Sequence, residues 1–287
     1  MTTDEEPTAT APDPAGPTGG GPSGWGPTSA ARAGRHPAMR VLALVVGGLV
    51  TLTIVGVSSL AAANVLVRTS ETDSQTLEGQ VARAEIRVDG SVDIEVGAAG
   101  RTRIDRRSTF GLSRPGVTET LVDGLLIVEV TCDGLPVICS NDVAVELPPS
   151  AEVSIDAEEI TVTGVTGRIA TDTEGGSVRL TDVSGPLDIR AGGGSVTGTG
   201  IESDEVRVSV GAGAVELDFR SPPSDVEATT GAGAVIVSLP PGEETYRVDA
   251  TSGAGEKQVD VATDPASPRR VRVNAGAGYV EVRYGPS

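Results

Sequence analysis

The chain has 287 residues, with 22 Lys and Arg against 40 Asp and Glu, a formal net charge of −18. That balance excludes a nucleic-acid-binding reading, which needs clustered cations against phosphate. Aromatics are 2% of the chain and His36 is its one histidine, so an aromatic-lined pocket, His-based catalysis and a His-built zinc site are excluded as well.

Residues 1–38 are dominated by Pro, Gly, Ser, Thr and Ala. They hold too little apolar surface to offset ordering entropy, so a disordered cytoplasmic tail is expected. Trp25 stands alone among glycines there, an incidental aromatic or a short docking motif. Residues 39–67 read as a transmembrane helix, because Val41 to Val67 contains no charged residue and exceeds the roughly 20 residues a bilayer requires. Gly47, Gly48 and Gly56 make no GxxxG motif, so no dimer follows from them. Arg32, Arg35 and Arg40 precede the run, whereas Arg68 follows it with Glu71 and Asp73. This asymmetry puts the N-terminus in the cytoplasm and the rest outside. The rival is a signal peptide cleaved near Ala61-Ala62-Ala63.

Residues 68–80 are polar and read as a juxtamembrane linker, and 81–287 as one acidic, strand-forming extracytoplasmic domain. Glu85–Val88 and Ser91–Val96 flank Asp89-Gly90, and Thr120–Val122 and Leu125–Val130 flank Asp123-Gly124, two hairpin signals. Asp142–Leu147 is a further strand, stopped by Pro148-Pro149. Interspersed Gly, Thr and Pro argue against any helix after the span. The Arg-over-Lys bias, with one lysine (Lys257), suits a GC-rich bacterial gene.

From Ile160 a repeat appears. At an offset of 18, Val162 meets Leu180, Val165 meets Val183, Ile169 meets Leu187, and Gly175–Val178 meets Gly193–Val196. Glycine anchors return at Gly211–Val215, Gly231–Val235, Gly253–Glu256 and Gly276–Val280, and Val145–Ala157 echoes Val237–Ala250. Short strands joined by glycine corners at this period suit a β-solenoid with Val, Ile and Leu inward. A β-sandwich is the alternative architecture; it needs regular hairpin turns, and Asp-Gly turns occur only toward the start of the domain.

VELPPS, the following VSIDA, and VTGVTGRI and LTDVSGPL followed by GGSV resemble the bacterial putative-adhesin family of β-strand-repeat proteins, domain of unknown function 4097. The resemblance spans residues 82 to 284 or so. It implies an envelope β-solenoid of unsettled function and carries over no catalytic residue.

Cys132 and Cys139 lie in the exported region, where an oxidising compartment favours a disulfide over two packed thiols. They have no nearby His and no C-x-x-C spacing, so no metal site is expected. The GGGS and GAGA segments lack the Lys and helix of a phosphate loop and the regular Asp of a calcium repeat, and read as corners. Asp156, Glu158, Glu159, Asp204 and Glu205 read as a solvated acidic face, with weak divalent-cation binding or paired-carboxylate catalysis as rivals. Arg101, Arg103, Arg106 and Arg107 form the one basic cluster of the domain. They would bridge to the acidic body or take an anionic envelope polymer.

The resulting expectation is a single-pass envelope protein with no catalytic residues and no cofactor. It would bind cell-wall material, a surface ligand or an envelope protein, with self-association open. A bactofilin-like structural solenoid and a carbohydrate-active β-helix enzyme are the alternatives.

Overall fold

The computed structural model describes residues 37–66, 68–98, 100–132 and 138–285, and the helix side chains from 44 to 58 only. The tail, including Trp25 and His36, lies outside these residues. The elements are α1 (Pro37–Leu66), β1 (Thr69–Glu78), β2 (Arg83–Val96), β3 (Arg101–Phe110), β4 (Gly116–Val122), β5 (Leu125–Thr131), β6 (Cys139–Leu147) and β7 (Glu152–Thr163). They continue with β8 (Ile169–Thr173), β9 (Ser177–Thr181), β10 (Leu187–Ile201), β11 (Glu205–Phe219), β12 (Asp225–Leu239), β13 (Arg247–Ala254), β14 (Lys257–Asp260) and β15 (Arg270–Tyr284). The chain after α1 is therefore all-β.

Within α1 the described side chains are all exposed, and Thr53 Oγ1 donates back to the Leu49 carbonyl at 2.9 Å, a polar group satisfied inside the helix. Among the described residues no helix is long and apolar enough to cross a membrane; several residues of the expected span lie outside that set.

From β7 to β15 the pairing is parallel and in register. Leu187 of β10 pairs with Val206 of β11, Val206 with Val226 of β12, and Val226 with Val271 of β15. The repeat units bury their apolar side chains in two short runs. In β11, Val206, Val208 and Val210 are buried, then Val215, Leu217 and Phe219. The buried set moves from even to odd positions across Gly211–Ala214. A strand alternates faces strictly, so this change of parity is what lets both arms of a bent strand point to one core. Val165 and Val183, aligned in sequence, are both fully buried in the connections before β8 and β10.

The bend demands glycine at particular positions. Gly233 has φ 138°, and a Cβ there would fall 1.9 Å from the carbonyl oxygen of Gly213 in the neighbouring strand. No L side chain fits at that distance, so the GAG motif recurs because each level is stacked on the last.

Chain order and spatial order differ at both ends. The path is β1-β3-β6-β2-β7-β8-β10-β11-β12-β15-β13, with β5 also on β2 and β9 between β7 and β10. An early strand, β2, lies between β5/β6 and β7, and the last, β15, lies between β12 and β13. At the N-terminal end the pairing turns antiparallel: β1 on β3, β3 on β6, and β4 on β5.

Two expectations are corrected here. Asp89-Gly90 is no hairpin: β2 runs through it, and Gly90 (φ 148°) is a corner packed on the Asn141 carbonyl, where a Cβ would sit 2.1 Å away. The stretch expected as a linker forms β1, whose polar side chains face water while its backbone pairs with β3. Asp123-Gly124 does turn a hairpin, with φ 50° and 79°, joining the antiparallel β4 and β5. The strand before Pro148-Pro149 is β6.

Candidate interaction surface

The same register that stacks the core stacks the outward side chains into columns. Asp188, Arg207, Glu227, Arg272 and Asp249 follow one another across β10, β11, β12, β15 and β13. Neighbouring strands lie about 4.8 Å apart, so the column is a ruled line of alternating charge. Beside it run Glu205, Asp225, Arg270 and Arg247 on one flank, and Arg190, Ser209, Thr229, Asn274 and Thr251 on the other.

The charges pair within and between levels. Arg190 meets Asp188 at 3.0 Å, Arg272 meets Glu227 at 3.3 Å and Asp225 at 3.6 Å, and Arg207 reaches Asp225 at 3.9 Å. The Arg207 guanidinium is held above its ordinary range, first by its hydrogen bond to Glu205. Such exposed pairs contribute roughly 0–1 kcal/mol each, so an incoming charged group can displace them at small cost. A shallow recess of about 260 Å³ opens along this face between Asp188, Arg190, Arg207, Ser209, Glu227 and Thr229. Elsewhere on the repeat, Arg220 bridges Glu202 (3.3 Å) and Asp182, beside a cleft of about 490 Å³.

The sequence-selected residues are scattered over the domain. Asp156, Glu158 and Glu159 are exposed on β7, while Asp204 is exposed and Glu205 half-buried at the start of β11. No group of three or more His, Cys, Asp or Glu that could hold a metal occurs among the described residues. Cys132 and Cys139 come together with Cα atoms 6.1 Å apart and their sulfurs joined. The fully buried Asn141 donates from Nδ2 to Cys132 Sγ at 3.1 Å and to the Asp89 carbonyl at 3.0 Å, tying this loop to the β2 corner.

The arginine cluster divides. Arg101, Arg103 and Arg107 are exposed on β3, and Arg103 pairs with Asp105 at 2.8 Å. Arg106 shares the inward parity of Ile104 and Ser108, and its side chain is 15% exposed. It meets Asp73 of β1 at 3.1 Å and Glu119 of β4, whose side chain is 8% exposed. Burial pushes the Glu119 carboxyl above its ordinary 4.5, against the pull of Arg106 and with a further push from Asp73. Sequence reasoning missed this triad because its members lie on three strands whose pairing is antiparallel and unrepeated.

No family model matches the chain, and no curated protein does. Several solved structures are similar at low identity, among them the following three. A "putative cell adhesion protein" from Clostridium sporogenes is 13% identical with a TM-score of 0.37, covering 76% of this chain and 100% of its own. A "putative adhesin" from Bacteroides fragilis is 13% identical with a TM-score of 0.45, covering 74% and 97%. A "putative lipid binding protein" from Parabacteroides distasonis is 11% identical with a TM-score of 0.34, covering 75% and 96%.

Proposed function

We propose that the chain is a membrane-anchored bacterial envelope protein, with its N-terminus cytoplasmic and its β-domain outside. The domain is a β-solenoid that binds extended cell-wall or surface polymer without catalysis. The observation that carries this reading is the ruled outer face of β10 to β13, where Asp188, Arg207, Glu227, Arg272 and Asp249 repeat at the strand spacing. A straight line of evenly spaced charges matches a chain molecule better than a small substrate. Both signs alternate, so the fitting partner carries amines and carboxylates together, as a peptide-substituted glycan does. The interior of each level is filled by its own Val, Ile and Leu side chains, which leaves the outer faces to do the binding.

Anchoring is supported by the uncharged run from Val41 to Val67 and by the arginines that precede it. Export accords with the pairing of Cys132 and Cys139. The sequence grammar shared with the putative-adhesin repeat family supports the same placement.

The deciding experiment is cosedimentation of the full chain, in mild detergent, with isolated cell-wall sacculi. Binding should be reversible and salt-sensitive, and Arg207→Glu with Arg272→Glu should weaken it about tenfold, as the loss of two charge pairs of order 0.7 kcal/mol each implies. Turnover of a glycan or ester substrate that vanishes on changing one Asp or Glu to Ala would replace this reading with an enzymatic one. Concentration-dependent filaments without wall binding would replace it with the structural one.

A further inference from the structure

One end of the domain has a surface chemistry unlike the rest. Outside α1, the exposed large apolar side chains among the described residues are Val96, Leu112, Val117 and Val122, all before β5. Two of them, Leu112 (56% exposed) and Val117 (41%), lie at a single rim. The strand register defines that rim: Thr69, which opens β1, pairs with Phe110, and Phe110 pairs with Cys139. The Gly111 amide donates to the Ile138 carbonyl at 2.9 Å, and Gly116 pairs with Thr131, next to Cys132. The start of β1, the 111–115 turn and both half-cystines therefore converge.

This rim is also where the chain arrives from α1. Leu66 ends the helix and Thr69 opens β1, so the tether between them spans about 10 Å at most when extended. Arg68 stands in that tether, and Arg114 stacks over the Phe110 ring at 5.9 Å beside Leu112. Among the described carboxylates nearby, Asp73 is engaged by Arg106, Asp89 accepts from the Cys132 amide at 2.7 Å, and Glu71 lines the same recess as Arg114. The chain from Arg68 onward carries 36 acidic residues against 19 basic ones, so an anionic bilayer repels most of its surface.

We infer that the rim bearing Leu112, Arg114 and Val117 rests in the interfacial layer of the bilayer. Leu112 and Val117 enter the headgroup boundary, and Arg114 and Arg68 take lipid phosphates. The occupant is the lipid surface and not a second chain, because the tether holds the rim within a headgroup depth of the helix end and the cations match phosphate. This inference rests on the anchoring proposed above.

The test uses the full chain in phosphatidylcholine vesicles with about 30% phosphatidylglycerol, which supply the anionic surface. Trp25→Phe removes the native tryptophan, and Leu112→Trp or Gln258→Trp supplies a new one. Lipids brominated on the upper acyl chain should quench Leu112→Trp at least twofold and leave Gln258→Trp, on β14, unchanged. Adding Arg114→Glu should weaken the quenching at 112. Release of the chain from vesicles by alkaline carbonate would overturn the anchoring itself. Retention without quenching at 112 would overturn this inference alone. So would a blue-shifted but unquenched emission, which signals a protein contact such as a second copy.

Discussion

The parallel levels from β7 to β15 and the antiparallel end formed by β1, β3 and β4 are stabilised in different ways. In the first, each level repeats the one beside it, so Val206, Val226 and Val271 share an environment and a neighbour. In the second, every contact is made once, between β1 and β3, between β3 and β6, and across the β4–β5 hairpin, and a charged triad at Arg106 takes the place of a repeated apolar pair. A stacked array tolerates loss at one level only if the backbone positions that let levels touch are kept. A singular end depends on its cross-links.

Breaking a glycine corner is the severest test of the stacked levels. Gly233→Ala puts a Cβ 1.9 Å from a backbone oxygen at a residue with φ 138°, with nothing flexible to yield. It should cost about 3–5 kcal/mol by urea denaturation, the combined scale of backbone strain and overpacking. A loss under about 1 kcal/mol would mean that the levels are not stacked as described. Next comes the register. Leu187→Ala, at a 2% exposed site, should cost about 2–5 kcal/mol, and Asp188→Ala within about 0.5 kcal/mol. Equal losses would exchange the inner and outer faces.

Opening the Cys132–Cys139 link with a double Ser substitution should remove roughly 2–3 kcal/mol in the chain-entropy description of a short loop. The effect should appear as faster amide exchange in β5, β6 and β3, with β11 and β12 unaffected, because stability in a stacked array is passed between neighbours.

The smallest expected effect is a pH slope. A carboxyl whose folded value is raised favours the folded state while protonated, and that contribution is lost as pH rises from its ordinary 4.5 through the raised value. Among the groups facing Glu119, Arg106 opposes the shift and Asp73 adds to it. Glu119→Gln should therefore flatten the stability profile of the antiparallel end just above pH 4.5. An unchanged slope would assign it to another group.

The parallel levels were legible because repetition is visible in one dimension. Val165 and Val183, aligned at an offset of 18, are both buried, and Gly175–Val178 and Gly193–Val196 mark the same corner. The Asp123-Gly124 hairpin was legible because its signal is local. Asp89-Gly90 carries the same dipeptide and misled, since its geometry is set by Asn141, about fifty residues away in sequence. β1 has no apolar alternation, so nothing in its composition announced a strand; its partner β3 supplies the reason. The charged face was only half legible: the repeat implied columns of outward residues, but not that Arg272 would stand beside Glu227, because β15 skips past β13 to reach β12.

That skip bears on how the domain resists wear. A stack whose final segment lay at the edge could lose it by peeling, one strand at a time, from a free tail. Here the closing strand β15 is wedged between two earlier ones, β12 and β13, whereas the first strand, β1, lies at the far edge of the path on β3. A pull on β15 must break both flanking ladders at once before the strand comes loose. Loss of the closing strand is therefore a two-sided event, in which the ladders to β12 and β13 fail together rather than one after the other.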